Sequence, residues 1–144
     1  MRLYKEMDMS AVTLLCVGRP LPLYDSGTRR VETSSHGGYT VSIEVNGFSV
    51  QEHTYYREAV EDLGLTMKPC RYELALQATA EDAAELRAYL ERHLRPGETA
   101  ELWNLWVGEG PARPHRFGGH LADLDLDTIK QLKEQFQICL TIER

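Results

Sequence analysis

The stretch 70–107 constrains this chain most. From Cys70 to Ala78 one parity is apolar (Cys70, Tyr72, Leu74, Leu76, Ala78) and the other mainly polar (Arg71, Glu73, Gln77). Side chains alternate faces along a strand, so this reads as a strand with one buried and one wet face. Thr79 then offers a hydroxyl N-cap, and Asp82 stands three residues on in a variant of the capping box. Ala83, Leu86, Leu90 and Leu94 recur at helical spacing with Tyr89 and His93 beside them, while Glu81, Glu85, Arg87, Glu91 and Arg92 form the opposite face. Pro96-Gly97 ends the helix, and residues 101–107 form a second strand. Strand, helix and strand in succession predict a βαβ unit with a right-handed crossover.

The second strand is apolar on both faces: Leu102 and Trp106 point one way, Trp103, Leu105 and Val107 the other. Either the chain's own segments cover it twice, or one face meets a partner. In the partner case Trp103 and Leu105 are the contact residues, because aromatic anchors are enriched at binding hot spots.

The remaining elements follow from the same periodicities. Residues 10–17 are apolar on both parities and predict an interior strand. Residues 18–38, punctuated by Pro20, Pro22, Gly27 and Gly37-Gly38, predict a long loop with one candidate strand at 29–33. Tyr39, Val41, Ile43 and Val45 alternate with Thr40, Ser42 and Glu44, which predicts a half-buried strand; Asn46-Gly47 then suggests a two-residue hairpin turn into a returning strand at 48–52. A short helix over 53–63 places Tyr56, Val60 and Leu63 inward and stops at Gly64. Residues 108–122 read as a Gly/Pro-rich loop. A last helix, capped by Asp125 or Asp127, buries Leu126, Ile129, Leu132 and Phe136. The strand 137–143 follows. The expected architecture is α+β (mixed α/β) over a single domain, 1–144: a two-layer sandwich with a mixed sheet of five to seven strands and about three helices mainly on one face.

With 144 residues the chain is large enough for a core without staples. A net charge of −6 and a pI near 5.4 argue against nucleic acid and anionic membranes as partners and suit a basic partner. Three cysteines, Cys16, Cys70 and Cys139, lie scattered in apolar strands, so they read as reduced core residues. The apolar run 11–17 is too short to span a membrane, and no leader-type cleavage pattern follows it. These features together predict a cytoplasmic protein.

No catalytic signature is assembled. Asp25-Ser26-Gly27-Thr28 has the form of the aspartic-protease signature, but there is no second copy and the flanking helices do not suit that all-β fold; the tetrapeptide reads as a turn. Ser34-Ser35-His36 lacks the strand–elbow–helix context of a hydrolase nucleophile. The acidic group Asp123, Asp125 and Asp127 lacks the glycine and glutamate of a calcium loop and suits helix capping. No spacing predicts a metal or a cofactor. Arg113, His115, Arg116 and His120 sit among glycines in the 108–120 loop, where amides and guanidinium forks could cradle a small anion or nucleotide phosphate. Two functional expectations result. The first is a non-enzymatic protein-binding module, as an immunity-type toxin neutraliser or a homodimeric interaction protein using Trp103 and Leu105. The alternative is a small-anion-binding or enzyme domain using Arg113, His115, Arg116 and His120.

Overall fold

In the computed structural model, which describes residues 10–27, 29–108 and 110–144, the expected strand–helix–strand unit is present. It consists of β6 (Cys70–Ala75), a helix α2 (Ala80–His93) and β7 (Thr99–Val107). The strand β1 (Ser10–Val17) is inserted between β6 and β7 and runs antiparallel to both. Thr79 caps α2 as its hydroxyl implies, accepting from the Asp82 backbone N–H at 3.2 Å, while the Asp82 carboxylate accepts from the Gln77 N–H at 2.8 Å.

The main sheet has seven strands in the order β2 (Tyr24–Asp25), β5 (Ser49–Glu52), β6, β1, β7, β9 (Ile138–Glu143) and β8 (His115–His120). All neighbours are antiparallel except the parallel pair β8–β9 at one edge. Two further strands, β3 (Arg29–His36) and β4 (Tyr39–Asn46), form a separate hairpin. Two other helices, α1 (Arg57–Glu61) and α3 (Leu126–Glu134), complete the α+β arrangement among the described residues. None of these helices is long and apolar enough to cross a membrane.

The two parities of β1 and β7 are buried in different places. Leu15, Val17, Ala100 and Leu102 join a large core beneath α2 and α3, with Leu86, Tyr89, Leu90, Ile129 and Leu132. Val12, Leu14, Trp103, Leu105 and Val107 join a smaller core on the opposite face, beneath Val60 and Leu63. Leu65, Met67 and Ala112 pack along its margin, and the Ala112 N–H bonds the Leu63 carbonyl at 3.0 Å. The double apolar character of 101–107 is thus satisfied within the chain.

Five expectations are corrected. The segment 108–122 is not a continuous loop, because 115–120 adds to the sheet as β8. There Gly118 lies so close to β9 that a Cβ would stand 2.8 Å from the Thr141 carbonyl oxygen. The strand 39–45 is not half-buried: Tyr39 is 77% exposed and Ile43 57%. Its hairpin turn is Gly37-Gly38, both at positive φ, which lets a tight turn follow the strand twist. Asn46-Gly47 instead carries β4 onward into β5. Phe136, expected in the core, is 42% exposed and rests against Trp106 with ring centroids 5.2 Å apart. Tyr56, expected inward, sits at the α1 N-cap with φ of 61° and is 40% exposed.

Trp103 is fully enclosed, and replacing it leaves a cavity that the rigid strands around it cannot close. Trp103→Ala is expected to destabilise the fold by about 3–5 kcal/mol. Urea unfolding checks this; a loss below ~1 kcal/mol would contradict the packing described.

Candidate functional site

The most unusual surface is the β3–β4 hairpin. It grows from the sheet edge, where Tyr24 pairs with Val50 and Asp25 with Ser49. Three residues (26–28) on one side and two (47–48) on the other then lead into its register, which starts with Arg29 opposite Asn46. Asp25 makes a turn here, its carboxylate accepting from the Gly27 N–H at 2.8 Å, as the turn reading of that tetrapeptide implies; Thr28 lies outside the described residues. The root is firmly anchored. Tyr24, Phe48 and Tyr89 form an aromatic cluster with centroids 5.8–6.1 Å apart. The Tyr24 hydroxyl donates to Glu85 at 2.9 Å and the Tyr89 hydroxyl to the Pro22 carbonyl.

Beyond the root none of the described side chains of the two strands joins either core. Each eight-residue strand reaches about 26 Å. Tyr39, Val41, Ile43 and Val45 share one face by parity, and only Val45 is partly covered. On the other face Thr33 and Ser42 hydroxyls meet at 3.5 Å, Arg29 pairs with Glu44 at 3.6 Å, and Val31 is 67% exposed.

A second feature lies at the far end of β5. Glu52, His53, Arg57, Glu58, Glu61, Pro69 and Arg71 line a pocket of about 530 Å³ between β5, α1 and the start of β6. Arg71 is engaged by Glu61. The Glu73 carboxylate accepts from the Thr54 and Tyr55 N–H groups at 3.1 and 2.8 Å and holds the turn that carries His53. His53 is only 9% exposed, and its Nε2 has no hydrogen-bond partner among the described residues. Burial lowers the His53 pKa. Glu73 and a backbone hydrogen bond at Tyr55 oppose that shift, whereas Arg57 and Arg71 add to it. The periodicity of 53–63 hid this pocket, because its residues come from three elements and only the polar parity of β6 hinted at it.

The residues expected to bind are dispersed. Trp103 and Leu105 are fully buried, so neither offers a surface for a partner. Arg116 lies over the Trp103 ring at 5.0 Å from its centroid and covers that core. Strand alternation puts His115 and Arg116 on opposite faces of β8, and His120 stands about 16 Å along from His115. Arg113 precedes the strand and is exposed. These four side chains do not converge on one point. His120 instead borders a shallow cavity with Arg87, Glu91 and Arg144.

Other reactive groups are occupied by structure. Burial pushes the Cys16 thiol up to about 12 and the Cys139 thiol up to about 11, so neither is a nucleophile near neutral pH. Lys133 donates to the Thr13 hydroxyl at 2.8 Å, and Asn104 donates to the Leu132 and Gln135 carbonyls at the end of α3. No group of His, Cys, Asp and Glu among the described residues could hold a metal ion.

Because His53 binds a proton less readily when folded, the unfolded chain binds more protons between that lowered value and 6.5. Stability therefore rises with pH across this window. His93, lowered by burial, Arg92 and Arg19, adds in the same direction. His53→Gln is expected to flatten, without abolishing, the rise of Tm from about pH 5 to about pH 7; an unchanged slope would contradict the burial of His53. No family model matches this chain, nor does any curated protein or solved structure.

Proposed function

We propose that this chain is a non-enzymatic protein-binding module that engages its partner through the β3–β4 arm. The observation that carries the reading is the exposed row Tyr39, Val41 and Ile43 on a hairpin whose described residues join neither core beyond its root. An isolated two-stranded hairpin is marginally stable in water, and a row of large apolar side chains gains from being covered. One face of the arm covers about 260 Å², well short of the ~800 Å² per partner typical of a stable complex. A groove that receives both faces and continues onto the body supplies the rest.

The partner this reading favours is a different protein with a basic surface. At a net charge of −6 two copies of the chain repel, whereas a basic partner is steered toward it. An immunity-type neutraliser of a basic toxin is one form of such a module; a homodimer joined through the arms is the alternative form. The same arrangement accounts for an apolar row on an element whose described residues join neither core.

The test compares the tagged chain with Val41→Ser/Ile43→Ser in co-purification from native lysate, with mass by light scattering. The expected result is a stoichiometric basic partner that the double variant loses, while the variant's Tm stays within about 2 °C because the arm contacts no core. A partner retained equally by the variant overturns the role of the arm. A lone monomer overturns the module, and an arm-dependent dimer replaces the basic partner with a second copy.

A further inference from the structure

The pocket at His53 has a charge pattern distinct from the apolar arm. Of its charged lining residues, Arg71 and Glu61 engage each other. Glu52, Glu58 and Arg57 remain, all exposed and with no side-chain hydrogen bond or ion pair among the described residues. His53 lines the same wall, but its Nε2 is enclosed and has no hydrogen-bond partner among the described residues. The open groups are thus one guanidinium fork and two carboxylates. A bare anion meets two like charges here, and a bare cation meets Arg57. A molecule bearing both an ammonium and a carboxylate meets a complement at each end.

We propose that this pocket binds a free amino acid, its ammonium held by Glu58 and Glu52 and its carboxylate by Arg57. Ammonium presents three donors, which two carboxylates can accept between them; the ligand's carboxylate accepts two parallel bonds from a guanidinium. A volume of about 530 Å³ leaves room for a large side chain beyond the charged ends. The binding is independent of the arm, which joins β5 at its opposite end.

The experiment measures Tm of the full chain with each proteinogenic L-amino acid in millimolar excess, followed by calorimetric titration of the best ligand. A rise of about 5–10 °C is expected at a concentration near 100 Kd. The amide of that amino acid, which lacks the carboxylate, and its N-acetyl form, which lacks the ammonium, should each bind at least tenfold more weakly. In Arg57→Ala the acid and its amide should bind alike; in Glu58→Gln the penalty for the N-acetyl form should shrink. Both substitutions are at exposed positions, so folding is checked by an unchanged Tm without ligand. No shift with any amino acid overturns the proposal. So does an N-acetyl form that binds as well as the parent, which would make the pocket an anion site, or an amide that does so, which would make it an amine site. A preference for acid over amide surviving in Arg57→Ala removes Arg57 from the site.

Discussion

Burial of β1 and β7 on both faces is the constraint from which the rest of the molecule follows. Leu14 opposite Trp103 and Leu15 opposite Leu102 place large apolar side chains above and below the same backbone. A sheet centre of this kind needs two covers, because leaving either parity in water forfeits roughly 1.5–3 kcal/mol for each large side chain. On one face α2 and α3 supply a continuous layer. On the other face the cover is thin: α1, the segment after it and Ala112. That cover extends over β1, β7 and β9 but leaves the outer part of the sheet polar, with Arg71 and Glu73 on β6. The pocket at His53 lies where the second cover stops.

Polar side chains settle the ends of the layers. Asn104 faces the helical side and ties the last carbonyls of α3 to β7, while Lys133 reaches back to Thr13 on β1. Burial holds the Lys133 ammonium below its usual range, the cost of keeping that link partly out of water. Gln137, at φ of 56°, bonds both the N–H and the carbonyl of Trp106 with its side-chain amide, standing in for a strand neighbour where β9 has not yet begun. These contacts satisfy backbone groups that a purely apolar seam would leave orphaned.

Period-two and period-3.6 patterns made β1, β6, α2, β7, α3 and β9 legible, because each buries a whole face and the pattern records that burial. The arm shows the limit of the same signal. Alternation at Tyr39, Val41, Ile43 and Val45 identifies a strand and its apolar side, but does not say what covers that side; here nothing in the described chain does. The edge strand β8 was hidden for a different reason. Arg116-Phe117-Gly118-Gly119 has weak strand propensity, and it joins the sheet by backbone pairing and the close approach that Gly118 permits. The candidate pocket was invisible because Glu52, Arg57 and Arg71 are unrelated in sequence until β5, α1 and β6 bring them to one wall.

An arm whose described residues share no core with the body is also free to change length. Its reach and its facing are set by separate rules. Adding a residue pair to each of β3 and β4 extends the tip by roughly 7 Å and keeps the apolar row on the same side, whereas a shift of register by one residue turns that row to the opposite side. The two cores of the body would be unaffected by either change, since the aromatic cluster of Tyr24, Phe48 and Tyr89 fixes the root. The geometry thus separates the part of the chain that must stay constant to fold from the part that can be remodelled, in steps of two residues, to fit surfaces of different depth.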